Sequence, residues 1–143
     1  MFMGEYQHSI DAKGRISFPA KFREQLGQAF VATKGQDGCL FIFSTGEWRA
    51  LEAKLEQLPT SSKHARAVSR FFFSGATELE CDKLGRVLLP AKLREHAGLC
   101  KEATVIGAGR RVEIWDSGRW DEYNEKSRET VDGIEEELTG LGI

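Results

Sequence analysis

Two short phrases of this chain carry the residues best suited to binding chemistry. Asp11-Ala-Lys-Gly14-Arg15 and Asp82-Lys-Leu-Gly85-Arg86 share the pattern D-x-x-G-R, 71 positions apart. Aspartate in a turn folds back onto nearby backbone N–H groups, and glycine supplies a positive φ that other residues resist. An arginine placed directly after such a turn has its direction set by the backbone. Its rigid fork of donors suits phosphate oxygens and the O6/N7 edge of guanine. Lys13 and Lys83 add an ammonium group beside each fork. The competing reading is an ion pair, Asp11 with Arg15 and Asp82 with Arg86, that serves only the turn. Recurrence in register favours contact: two such loops related by an internal two-fold form one paired, basic, projecting surface.

The phrases belong to a longer repeat. Residues 11–27 read DAKGRISFPAKFREQLG and residues 82–98 read DKLGRVLLPAKLREHAG, identical at nine of seventeen positions. Lys21, Arg23, Lys92 and Arg94 stand in the shared Pro-Ala-Lys-φ-Arg segment. Taken alone they read as an ordinary solvated helix face; beside the turns they extend the basic surface. One inserted residue shifts the register to 72, aligning Leu40, Ile42 and Phe43 with Val112, Ile114 and Trp115, and Trp48 with Trp120. The repeat defines two units, residues 5–55 and 76–127. A helical connector covers 59–74. The acidic segment 128–143 has no counterpart.

The elements that position these residues follow from local pattern. Glu5–Ile10 and Arg15–Phe18 flank the first turn as a hairpin-like pair. Pro19 and Pro90 each open a two-turn helix that closes at Gly27 or Gly98, the expected asymmetry. Phe22 and Leu26, and Leu93 and Ala97, face inward, leaving the basic positions on more exposed faces. Two further strands follow in each unit, Ala29–Thr33 with Cys39–Phe43 and Ala103–Gly107 with Arg111–Trp115. A longer helix then begins near Ser44 and near Asp116, with Ser44 and Glu47 fitting a capping box. Trp48, Leu51, Leu55 and Leu58 form one apolar stripe, and Trp120, Tyr123, Val131, Ile134, Leu138 and Leu141 another. Ser61–Phe73 is helical by the same test. A fifty-residue unit buries too little surface to stand alone, so the halves share one core.

No catalytic constellation accompanies this frame. The chain has no G-x-S-x-G, P-loop or HExxH motif, and no G-x-G-x-x-G after a strand. His8, His64 and His96 are scattered and unrepeated. Cys81 has Ile10 at its matching position and reads as a buried strand residue. Trp48 and Trp120 fit packing better than base stacking. Phe71, Phe72 and Phe73 cannot all face inward on one helix, which points to an intrachain or intersubunit contact.

Charge and composition bound the partners. The chain has 143 residues, 41% hydrophobic and 29% charged, and a net charge of −2. Residues 1–100 carry 14 Lys+Arg against 11 Asp+Glu, and residues 101–143 carry 6 against 11. A mildly basic body therefore bears an acidic end, which permits a nucleic-acid partner if the cations cluster. No apolar run reaches the roughly 20 residues of a membrane span, and MFMGEYQHSID is not patterned as a signal peptide. Three cysteines without metal-like spacing read as reduced thiols.

The doubled D-x-x-G-R phrase followed by Pro-Ala-Lys-φ-Arg, in a chain opening Met-Phe-x-Gly, closely resembles the MraZ family of bacterial transcriptional regulators. The resemblance covers essentially the whole chain. It implies an α+β fold of two AbrB-like swapped-hairpin units forming a β-barrel with pseudo-two-fold symmetry and flanking helices. It implies a non-enzymatic regulator, cytoplasmic and nucleoid-associated, assembled as a ring. The partner implied is double-stranded DNA, at short direct repeats ahead of the division and cell-wall gene cluster that holds its own gene. Carried over by position, the family's Asp and Arg fall on Asp11 and Arg15, and on Asp82 and Arg86. Ala12-Lys13 and Lys83-Leu84 differ between the copies, so the loops contribute unequally. No cofactor, metal, membrane or small-molecule substrate is expected. The alternative class is a protein-interaction scaffold or antitoxin-like module.

Overall fold

A computed structural model describes residues 1–143. The first half holds β1 (Glu5–Ser9), β2 (Arg15–Ser17), α1 (Ala20–Leu26), β3 (Ala29–Lys34), β4 (Leu40–Ser44) and α2 (Thr45–Glu56). Helix α3 (Lys63–Gly75) leads to β5 (Thr77–Glu80), β6 (Arg86–Leu88), α4 (Ala91–Ala97), β7 (Glu102–Gly107), β8 (Val112–Asp116) and α5 (Ser117–Asp132). A short α6 (Glu135–Gly140) follows. The fold is α+β, and all its strand pairs are antiparallel.

The halves are interlocked rather than adjacent. Six strands run in the order β1-β7-β8-β4-β3-β5, and β2 pairs with β6. Thus β1 of the first half pairs with β7 of the second, and β5 of the second with β3 of the first. Bridges Ile10↔Ile16 and Cys81↔Val87 join the two sheets, so the pairing circuit closes on itself. In the β2–β6 ribbon Ile16 faces Val87, its own repeat equivalent. At the other side of the circuit Phe41 faces Glu113, again equivalent positions. An approximate two-fold therefore passes through both pairs.

Strand alternation splits the apolar residues into two clusters. Leu40 and Ile42 point into the main core with Ile16, Phe18, Phe22, Phe30, Val87, Leu89, Val105 and Ile114. Phe41 and Phe43, one residue out of phase, join Val31, Trp48 and Trp115 on the outer face. Strand β4 is therefore covered on both faces and reads as a continuous apolar run. Beneath the helices, Trp48 is buried and Trp120 lies edge-on to Trp115 at 5.3 Å, both as packing residues. The three phenylalanines of α3 are all engaged within the chain. Phe72 stacks on Phe41, Phe73 meets Trp48 edge-on, and Phe71 lies against His96 and under the Lys34 ammonium.

Helix boundaries depart from the sequence pattern in three places. Pro19 and Pro90 sit one residue before their helices, at φ −54° and −57° with extended ψ. Lacking an N–H, each proline instead uses its carbonyl to accept the first helical bonds, as Pro19 does from Phe22 and Arg23. The Ser44 hydroxyl accepts from Glu47 N–H at 3.3 Å, but the reciprocal bond of a capping box is not made. Ser44 is itself the last residue of β4. The acidic end is two helices rather than one, because α5 stops at Asp132 before Gly133.

Candidate nucleic-acid interface

Each D-x-x-G-R phrase builds the same turn. Asp11 N–H donates to Arg15 C=O at 3.0 Å, and Gly14 N–H to Asp11 C=O at 2.9 Å. This is a three-residue hairpin loop with a left-handed residue at its end, and Gly14 holds that position at φ 84°. Asp82 and Gly85 repeat the pattern, with Gly85 at φ 78°. Asp11 Oδ1 accepts from the backbone N–H of Lys13 and of Arg15, both at 2.9 Å. Asp82 Oδ1 does the same for Leu84 and Arg86.

The remaining carboxylate oxygen orients the arginine. Arg15 Nε donates to Asp11 Oδ2 at 2.7 Å, and Arg86 Nε to Asp82 Oδ2 at 2.8 Å. The ion pair weighed as a competing reading is therefore present in both turns. It engages only Nε: no protein group accepts from the Nη atoms of Arg15 or Arg86. The aspartate thus fixes the guanidinium plane and leaves its outer edge open. Foremost through the backbone N–H of Arg15 and Arg86, the two carboxyls are held below the usual aspartate range.

The ribbon places both forks on one face. Directly opposed residues of an antiparallel pair share a face. Ile16 and Val87 point inward and are buried, so Arg15, Ser17, Arg86 and Leu88 point outward. Arg15 lies opposite Leu88 and Arg86 opposite Ser17, making the two arginines diagonal neighbours about 7–8 Å apart at Cα. Because β2 and β6 are antiparallel, the turn loops lie at opposite ends of the ribbon. Lys13 and Lys83, both exposed, therefore flank the central arginines.

The cations of the short helices divide. Lys21 and Lys92 are exposed on α1 and α4. Lys92 sits beside Lys34, Gly75 and Thr77, at the end of β5 away from the Asp82 turn. Arg23 and Arg94, expected on open faces, are half-buried and reach across the two-fold. A Cβ on Gly14 would lie 2.6 Å from Arg94 Cζ, and one on Gly85 would collide with Arg23 Nη1. Arg94 Nε donates to Leu89 C=O at 3.0 Å, whereas buried Arg23 Nε has no protein partner. Each half therefore braces the turn of the other; a Cβ at either glycine would displace the bracing guanidinium, and the positive φ is what demands glycine there.

Sequence reasoning missed Ser17, Leu84 and Leu88 as part of this face. Leu84 is 72% exposed and Leu88 57%, unusual for leucine beside a well-packed core. The available signal was the alternation around Ile16 and Val87, which puts their neighbours outward. Elsewhere the titratable groups do not converge. His64 is exposed, His8 lies partly buried on β1, and His96 Nε2 is 3.0 Å from Gly35 C=O. Burial, and secondarily Glu113, push the Cys39 thiol up. Glu113 is held by Arg111 at 2.7 Å and by Trp115 Nε1 at 3.1 Å. No helix is long and apolar enough to cross a membrane.

Comparison with known proteins covers the whole chain. The family model described as "MraZ protein, putative antitoxin-like" matches twice, over residues 1–71 and 72–141. A transcriptional regulator MraZ of Heliobacterium modesticaldum is 59% identical over 143 residues, all of both chains. Proteins of the same name from Alkaliphilus oremlandii and Acetivibrio thermocellus are 57% and 53% identical, again over all of both chains.

Proposed function

The chain belongs to the MraZ family of transcriptional regulators, and on that premise we propose that its β2–β6 ribbon is a sequence-reading DNA surface. The observation that carries this reading is the pair of arginines at the two-fold. Each has Nε held by its own turn aspartate and its outer edge open. A fork fixed in this way loses little freedom on meeting a phosphate or a guanine edge. Lys13 and Lys83 extend the strip to either side, and Leu84 and Leu88 offer apolar contact to thymine methyls. Arg23 and Arg94 act as positioning residues that brace the opposite turn and add positive potential behind it.

The exchange of β1 and β5 between halves supports an AbrB-like swapped-hairpin reading, with units 5–55 and 76–127 around the connector 59–74 and the extension 128–143. The DNA target is a set of short direct repeats ahead of the division and cell-wall gene cluster that includes its own gene. The protein acts there as a homo-oligomeric ring in the cytoplasm, at the nucleoid, without catalysis. Magnitude supports the oligomer: tight binding at physiological salt draws on about 6–10 phosphate contacts. The strip of one chain offers about four open cations, and several copies on spaced repeats supply the rest through effective concentration.

Footprinting on the chain's own upstream region, repeated across a salt series, tests the reading. Protection of spaced repeats with steeply salt-dependent affinity is expected. Unprotected promoter DNA would favour a protein-interaction scaffold instead.

A further inference from the structure

The acidic end of the chain stands outside the duplicated frame. Ile134, Leu138 and Leu141 recur at i, i+4 and i+7, one side of a helix. Yet Leu141 is 75% exposed, and Val131 just before it is 51% exposed. Residues 129–143 carry Glu129, Asp132, Glu135, Glu136 and Glu137 and no Lys or Arg. Within its own chain this amphipathic, acidic segment half-buries Ile134 and Leu138 and leaves Leu141 and Ile143 open to water.

A surface of opposite character lies between α2 and α3. The two helices enclose an open groove of about 480 Å³, floored by Leu55, Leu58, Ala65 and Phe73, with Arg66 and Arg70 on its α3 wall and Glu56 on its α2 wall. None of its lining residues comes from α5 or α6. Residues 59–76 carry Lys63, Arg66 and Arg70 and no Asp or Glu. Helix α3 is strongly amphipathic, yet none of its residues is fully buried. Val68 and Phe73 are 42% and 37% exposed.

We propose that α6 of one copy docks in the α2–α3 groove of a second copy of this chain. Ile134, Leu138 and Leu141 cover the apolar floor, and Glu135–Glu137 meet Arg66 and Arg70. The proposal rests on the oligomer reading above and names its contact. The two arginines of the α3 wall outnumber Glu56, so the acidic segment complements that wall, which steers the encounter and fixes its register. DNA is not the occupant of either surface in this scheme: the tail repels phosphate, and the groove contains none of the turn residues. The contact is heterologous, since each copy offers one tail and one groove, so it propagates until a ring closes.

Light scattering at micromolar protein tests this on the full chain. The unmodified protein is expected to have a mass several times the single-chain 16.0 kDa. Glu136→Lys with Glu137→Lys spoils the tail, and Arg66→Glu with Arg70→Glu spoils the groove. Each variant alone is expected to fall to single-chain mass with an unchanged far-ultraviolet circular dichroism spectrum. A one-to-one mixture pairs the intact tail with the intact groove and the charge-reversed tail with the charge-reversed groove, so it is expected to reassemble into species larger than either variant alone. A mixture that stays single-chain, as it would if α6 folded back onto its own groove, overturns the proposal. Full assembly persisting in either variant overturns the contact while leaving the oligomer reading intact. A single-chain mass for the unmodified protein overturns the oligomer reading itself. A salt titration of the unmodified protein is independent of variant folding. Falling mass is expected with rising salt, and a constant mass counts against the ionic contact.

Discussion

The two turns of the ribbon share a skeleton and differ in what they present. Asp11, Gly14 and Arg15 make the same hydrogen bonds as Asp82, Gly85 and Arg86, to within about 0.2 Å. The residues between them do not match. Ala12-Lys13 in one turn becomes Lys83-Leu84 in the other, and Ser17 becomes Leu88. Each turn keeps one ammonium, displaced by one position, but the second adds two exposed leucines. The shared residues build the backbone and aim the fork; the unshared ones decide which groups a fixed frame offers to a partner. The back of the barrel shows the same split. At the two-fold Phe41 faces Glu113, and Arg111 serves both, lying 3.8 Å over the Phe41 ring while pairing with the buried carboxylate.

The largest effect is expected where the skeleton is broken. Gly14→Val and Gly85→Val each force a β-branched residue to positive φ, a strain of about 1–3 kcal/mol. Each also drives a side chain into the bracing arginine of the other half. Thermal unfolding should show both variants less stable, by similar amounts because the two glycines stand at similar positive φ. DNA binding should fall with stability. Wild-type melting in both would show that neither glycine is needed for its positive φ.

Removing the fork should separate binding from folding. Arg15→Ala leaves the Asp11 bonds to the Lys13 and Arg15 N–H groups intact, so the fold should survive. Losing one bidentate base contact costs about 1–3 kcal/mol, multiplied over the copies engaged. Arg86→Ala should also weaken binding, but by a different factor, since Arg86 lies across from Ser17 and beside Leu84 whereas Arg15 lies across from Leu88 and beside Lys13. Equal losses from the two, measured by titration on one promoter fragment, would mean that the unshared residues are silent.

A smaller effect tests those residues directly. Lys13→Leu should lower the slope of log affinity against log salt by about one contact per engaged turn, and Leu84→Lys should raise it. Slopes unchanged in both variants would remove the lysines from the strip.

The smallest effect is on acid stability. Asp11 and Asp82 have their pKa values lowered in the fold, so their contribution is complete above the ordinary aspartate range near pH 4. It is lost as pH falls through the lower folded values. Asp11→Asn should flatten that part of the stability profile, and an acid profile identical to wild type would show that the carboxylate does not hold the turn.

Much of this frame was legible in the residues because it is local. Asp, Gly, Pro and apolar spacing act within a few positions, so the turns, the short helices and the inward faces of Phe22, Leu26 and Leu93 could be read directly. Strand partners could not, because period-two alternation says which face is buried but not which strand lies alongside. The pairing of β1 with β7 is accordingly invisible in Glu5–Ser9. The bracing by Arg23 and Arg94 was hidden for the same reason: their helix phase suggests open faces, and only the cross-half approach covers them. Leu88 reads as core by type and is turned outward by its opposition to Arg15.

The central claim is that the paired arginines read DNA. Its most direct test is the affinity of the Arg15→Ala, Arg86→Ala double variant for the chain's own upstream repeats, measured beside wild type over a range of salt. The account predicts a folded, still oligomeric protein whose repeat-specific footprint is gone and whose remaining binding matches that to unrelated DNA. A folded double variant that still protected the same repeats with wild-type affinity would contradict it.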